Sequence, residues 1–418
     1  MSYVDFRGCP VSGTTPAALE AFERALATFQ SWRSGAADQL SPAVEGAPAF
    51  VMAHVLQAYL QLSGRDPAQV RAAWPAFAKA AALPANVRER LHLAAIAAVL
   101  SDDYERAKTL LGELLREYPR DVLALQVARA LDYYTGDLAR MGDRVPRILS
   151  AWSADLPGYH AVLAMHAFAL EECGDYARAE EAAHAALKAN ALNARAHHAL
   201  AHVFEMTDRA DDGVQWMNRH IDAWGKDTVV ATHCRWHLAL FHLARGEFDV
   251  ALALYDRYMR AGSGDIADLI DAAALLWRAE LAGGDPGARW AELAQAWEPR
   301  IDDGFCSFND LHATLAFVGA RDWGRAHRLE QSLAHAQQLP TRHGETTRQL
   351  GLASCRALIA FGAGNDALAI TLLASLPATA HRLGGSHAQR DVLHLTLQKA
   401  VERMRRPARR PRIGEALA

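Results

Sequence analysis

An all-α fold of stacked helical hairpins is predicted by three observations. Ala and Leu dominate the 418 residues, β-branched residues are sparse and 51% of positions are hydrophobic, a strongly helix-forming mixture. A unit recurs along the chain: an apolar helix, a short turn of Gly or a polar residue followed by an acidic or polar one, an aromatic or small residue, then Ala and a second helix. Nowhere do about 18 uncharged apolar residues run together, so the helices must cover one another and do not cross a membrane.

Taken in order, the first clear apolar helix is FVMAHVLQAYL at 50–60. The turn signature follows at SDDYERAKTLL (Asp103, Tyr104, Ala107) and, after an interruption by SAWSADLPGYH at 150–160, in the best copy, AMHAFALEECGDYARAEEAAHAALKANALNARA (Gly174, Asp175, Tyr176, Ala179). Further copies are TDRADDGVQWM (Asp208, Gly213), RGEFDVALALY (Gly246, Phe248, Ala251), AGGDPGARWAEL (Gly284), ARDWGRAHRLE (Trp323, Ala326) and GAGNDALAITLL (Gly364). These turns lie roughly 33–43 residues apart, near the tetratricopeptide length of about 34. The small turn residue admits a tight reversal, and the later Ala lets the two helices approach closely. Each hairpin leaves an apolar face that only its neighbour covers. The expectation is one irregular tetratricopeptide-like α-solenoid over 1–400, a right-handed superhelix with a concave groove. A basic tail over 401–418 follows, where the prolines of RMRRPARRPR (403–412) prevent a helix and the arginines stay solvated.

Charge and cysteines narrow the class. With 44 basic and 48 acidic residues the net charge is −4, so no general field gathers nucleic acid or coats an anionic membrane. Cys9, Cys173, Cys234, Cys306 and Cys355 are odd in number and form no CxxC pair, which fits a reducing compartment. The start, MSYVDFRGCPVSG, lacks a basic n-region and an apolar h-region, so a soluble cytoplasmic protein is expected. The sequence leaves a homo-oligomer open.

Chemistry concentrates in the histidines. Ten of the 19 fall between positions 160 and 242, most in HHALAHVFEM (197–206) and HCRWHLALFH (233–242). His198, His202 and Glu205 stand at i, i+4 and i+7 on one helix face, and His233 and His237 repeat the i, i+4 spacing. His198, His237 and His312 each precede a repeat turn by nine or ten residues, so they occupy equivalent first-helix places facing one groove. Asp268, Asp271, Asn309 and Asp310 lie on the neighbouring first helices. Two imidazoles one turn apart with a nearby carboxylate suit a divalent metal, the candidate ligands being His198, His202 and His237. They equally suit general acid–base work. No HExxH motif is present, and a single helix histidine is most often a packed, hydrogen-bonded core residue. Trp236, beside His237, is placed as a pocket wall.

Near the C-terminus, LGGSHAQRDVLHL offers Gly384 and Gly385 to break a helix and Ser386 to cap the next, with Arg390 one turn on to pair a carboxylate or phosphate. The bland alternative is a plain cap with an Arg390–Asp391 ion pair.

Read together, HxxAHxxEM from His198, HxxWHLAL from His233, FNDLH from Phe308 and GGSxAQRDV from Gly384 resemble the tetratricopeptide repeat protein 38 family over most of the chain. The resemblance implies an irregular repeat solenoid without an established reaction. It marks His198, His202, Glu205, His233, Trp236, His237, Asn309, Asp310, His312, Ser386, Gln389, Arg390 and Asp391 as matching the family's polar motifs. Two functions follow. One is a small-molecule enzyme of hydrolase or acid–base type, with His198, His202, Glu205, His237, Asp310 and His312 catalytic, a divalent metal optional, and His233, Trp236, Asn309, Ser386, Gln389, Arg390 and Asp391 holding substrate. The alternative is an interaction scaffold that binds a partner peptide in the groove.

Overall fold

One backbone turn, used again and again, sets the architecture. The computed structural model describes residues 3–62, 64, 66–259 and 264–405. In eight hairpins among them the first helix ends with a residue at positive φ: Asp102, Gly136, Gly174, Asp208, Gly246, Gly283, Arg321 and Gly364. In each, the next N–H reaches back five residues to a helix carbonyl, as from Asp103 to Ala98 or Asp175 to Leu170, closing the orphan carbonyls of that helix end. A left-handed conformation is why glycine recurs there; in the 284 region it falls on Gly283 and not on Gly284. In four of them the second helix starts under a side-chain cap, Asp103 accepting from Arg106 N–H, Asp137 from Arg140 N–H, Asp322 from Arg325 N–H and Asn365 from Leu368 N–H.

The resulting antiparallel pairs include Val122–Thr135 with Leu138–Ile148, Tyr159–Glu172 with Tyr176–Ala189, Ala194–Met206 with Ala210–Arg219, Ala231–Ala244 with Phe248–Tyr258, and Ile266–Leu281 with Arg289–Trp297. The small residues foreseen on the second helices, Ala107, Ala179 and Ala251, are fully buried. A Cβ on Gly213 would lie 2.5 Å from the Phe241 ring. The architecture is all-α and tetratricopeptide-like. The one sheet among the described residues is a two-residue ladder, Tyr3–Val4 with Pro10–Val11. No helix among them is long and apolar enough to cross a membrane. The last helix, Val392–Arg405, carries Arg403 and Arg405, so the expected tail begins later than 401; residues 406–418 lie outside the described residues.

Distant parts of the chain meet. Ser34 N–H donates to Asp227 O at 2.8 Å beside an Arg33–Thr228 bridge, and Arg300 pairs with Asp66 at 3.4 Å. The Tyr133 hydroxyl donates to the Gln389 side-chain oxygen at 2.9 Å, while Gly384 lies so near Tyr134 O that a Cβ would sit 2.5 Å away. The superhelix is thereby drawn round its own groove, which becomes a cavity of about 660 Å³.

Candidate functional site

The histidine runs fall on two neighbouring first helices, Ala194–Met206 and Ala231–Ala244, and the i, i+4 spacing turns the two pairs toward each other, with His198 and His233 also bordering the cavity. One ring nitrogen from each of His198, His202, His233 and His237 lies within 4.8 Å of one from every other. His198 and His202 bring their Nε2 atoms to 3.1 Å, so one imidazole N–H donates to the other. His237 Nδ1–H donates to Glu205 at 2.9 Å and His233 Nδ1–H to Asp271 at 2.8 Å. Asp271 also accepts from the Gln389 amide at 3.2 Å, which links the C-terminal GGSxAQRDV motif to the histidines. His202 Nδ1 faces Glu171 at 3.8 Å, and neither that nitrogen nor either Glu171 oxygen has a hydrogen-bond partner.

Burial, reinforced by neighbouring imidazoles, holds His198, His202 and His237 well below the ordinary histidine range, so they are neutral. Burial pulls His233 the same way, but the Asp271 carboxylate outweighs it and raises that imidazole. Burial pushes Glu205 up to about 7 against the pull of Arg278. Burial, then the nearby charges of Glu172 and Glu205, raises Glu171 well above the carboxylate range.

Neutral imidazoles with carboxylates on their Nδ1 sides are the arrangement that orients histidine ligands on a metal. Glu205 and Asp271 do this for His237 and His233, leaving the Nε2 atoms for a common point. A tetrahedral zinc site with bonds of about 2.0–2.1 Å has nitrogens about 3.3 Å apart, close to the 3.1 Å between His198 and His202. These four residues could hold a late first-row divalent ion, with Glu171 and Glu172 beyond His202 as a second group of donors.

Other expected site residues lie elsewhere. His312 is fully buried, bonded through Nδ1 to Phe308 O at 2.8 Å and packed on the Phe308 ring; it does not join the four histidines. Asp310 accepts from His343 Nε2 at 2.8 Å, and Asn309 is buried on the same helix. The matched register of His312 holds, but its helix is two repeats beyond His237 and its side chain turns back on its own turn. Trp236 is fully buried against His233, rings 5.2 Å apart and nearly parallel; it backs the histidines from the core and does not wall the cavity. Ser386 and Gln389 form a capping box on a helix of only four residues, His387–Arg390. The Arg390 guanidinium is committed to Glu172 at 3.1 Å and to Gly385 O, so it does not await an anion. Asp391 faces Arg278 at 3.8 Å, in place of the Arg390–Asp391 pair considered from sequence.

Glu171, Phe168, Trp32, Arg129 and Arg195 escaped the sequence reading. Two had a signal: Glu171 precedes Gly174 by the same three residues as Glu205 precedes Asp208, and Phe168 is the register equivalent of His202. Phe168 packs against both His198 and His202, with ring centroids 5.5 and 5.1 Å away. Trp32 comes from the N-terminal hairpin and meets His198 only because the superhelix closes.

No protein-family model matches the chain. It is similar to a tetratricopeptide repeat protein from Parabacteroides merdae, at 11% identity over 75% of this chain and 98% of that one, TM-score 0.34. It is also similar to yeast Tom70, at 11% identity over 88% and 85%, TM-score 0.45. A monomeric IFIT1 mutant solved with Gppp-AAAA aligns at 13% identity over 92% and 86%, TM-score 0.46. At these identities the likeness concerns the course of the chain alone.

Proposed function

We propose that the protein acts by binding, as helical-repeat scaffolds do, and that it binds inside its groove. The observation that carries this reading is a half-open cavity of about 660 Å³, lined by Trp32, Tyr133, Phe168 and Ile270, with Arg129, Arg195, His198, His233 and Asp271 among its polar groups. That volume and that mixture of apolar wall and few convergent polar groups are those of small-molecule sites. A cavity of that size takes a small molecule or a short chain end. Membership of the tetratricopeptide repeat protein 38 family belongs to the same proposal, supported by the meeting of its motif residues His198, His202, Glu205, His233, His237 and Gln389 around one point.

A second reading, metal-assisted hydrolysis or another acid–base reaction on the guest, is favoured by one specific observation, the convergence of four imidazoles backed by Glu205 and Asp271. Binding is tested first. A thermal-shift screen of small molecules and short peptides is run on the wild type and on Ala130→Trp, which places a bulky ring in the cavity wall. Hits on the wild type that vanish in a folded Ala130→Trp support the reading; hits that persist place binding outside the cavity and overturn it.

A further inference from the structure

We infer that the guest is an organic anion, a small carboxylic acid with an apolar body, whose carboxylate is held by Arg129 and Arg195. This rests on the proposal that the cavity is the binding site. Both residues border the cavity, and both are buried, at 4% and 7% exposure. Neither has a carboxylate partner among the described residues. Arg129 Nε has no hydrogen-bond partner, and its guanidinium lies 5.5 Å from the centre of the Phe168 ring. Arg195 donates through Nε to Gln30 O at 3.3 Å and stacks 4.1 Å above Trp32. The nearby acids are taken: Asp132 by Arg144 and Glu172 by Arg390.

A buried cation without a counter-ion is among the costliest groups a fold can hold, and contact with an aromatic face offsets only part of that cost. Two such cations beside one cavity repel each other as well. Elsewhere in this protein buried arginines are paired: Arg7 with Glu23, Arg88 with Asp121, Arg144 with Asp132 and Arg390 with Glu172. Arg129 and Arg195 are the departures, and they are the two that face the cavity. A planar carboxylate meets the forked donors of arginine. The rings of Trp32, Phe168 and Tyr134, together with Val127 and Ile270, then receive an apolar or aromatic body, and His198 lies beside the Trp32 and Phe168 rings.

The test uses phenylacetate against its neutral counterpart phenylacetamide, titrated by calorimetry into the full-length wild type, Arg129→Met and Arg195→Met. The expected result is that phenylacetate binds the wild type at least about tenfold more tightly than the amide, the scale of a hydrogen-bonded charge pair. Either methionine variant should erase that preference. Arg129→Met, relieved of an unpaired buried charge, should also melt no lower than the wild type, an outcome a structural arginine would not give. Equal affinity for acid and amide overturns the inference and leaves cavity binding standing; no binding of either overturns both. Should a methionine variant not fold, the acid–amide comparison on the wild type decides alone.

Discussion

His233 and Asp271 are joined by a 2.8 Å hydrogen bond that crosses from one repeat to the next, and the other Asp271 oxygen holds Gln389 from the end of the chain. One buried carboxylate therefore ties two first helices and the C-terminal segment together at the cavity's polar end. Asp271→Ala should cost about 2–3 kcal/mol, because it strands a half-buried imidazole and a buried amide. Asp271→Asn, which keeps the shape and one acceptor, should cost less. Urea denaturation of both variants gives the comparison, and an alanine variant as stable as the wild type would show the link to be idle.

The four imidazoles should take up one equivalent of Co²⁺ or Zn²⁺. Co²⁺ added to the full-length protein is predicted to give visible ligand-field absorption saturating at one ion per chain. The double variant His202→Gln/His237→Gln, checked for folding by circular dichroism, should give none. Saturation unaltered in the double variant would place the ion elsewhere.

Acid should weaken the N-terminal hairpins first. Asp121 is buried, yet Arg88 at 2.5 Å and His92 at 2.9 Å overcome that burial and hold its carboxyl far below the ordinary range. A depressed carboxyl stabilises the fold above its unfolded pKa of about 3.9 and loses that contribution as pH falls from there toward the folded value. Stability measured from pH 6 to pH 2 should therefore fall most steeply below about pH 4. Asp121→Asn should cost about 3–5 kcal/mol at neutral pH, since it leaves Arg88 with one carboxylate fewer. A variant no less stable than the wild type at neutral pH contradicts this.

Gly213 marks a close approach of two repeats. Its absent Cβ would fall 2.5 Å from the Phe241 ring, so Gly213→Val should destabilise by about 1–3 kcal/mol through overpacking. Thermal denaturation is sufficient to check it, and an unchanged midpoint would mean that Phe241 yields freely.

Local rules made most of the fold legible. Turn glycines, the Ala of the second helices and the i, i+4 histidines act within one hairpin or between neighbours, so His198, His202, Glu205, His233 and His237 could be gathered on paper. What sequence could not show was closure. Trp32 against His198, Tyr133 on Gln389 and Glu172 on Arg390 join residues more than 160 positions apart, and no periodicity reports such pairs. For the same reason Arg390 reads as an anion site when its partner is out of view, while Arg129 and Arg195, whose lack of a partner is the informative fact, read as ordinary helix residues. Register alone overreached at His312, since equivalence between repeats fixes a helix face but not the distance across several repeats.

The most direct test of the account is a crystal structure of the protein with the tightest-binding compound from the thermal-shift screen. The account predicts the compound inside the groove, in contact with His198 or His233 and with Trp32 and Phe168 around it. A compound seated on the outer surface, with the cavity unchanged, would contradict it.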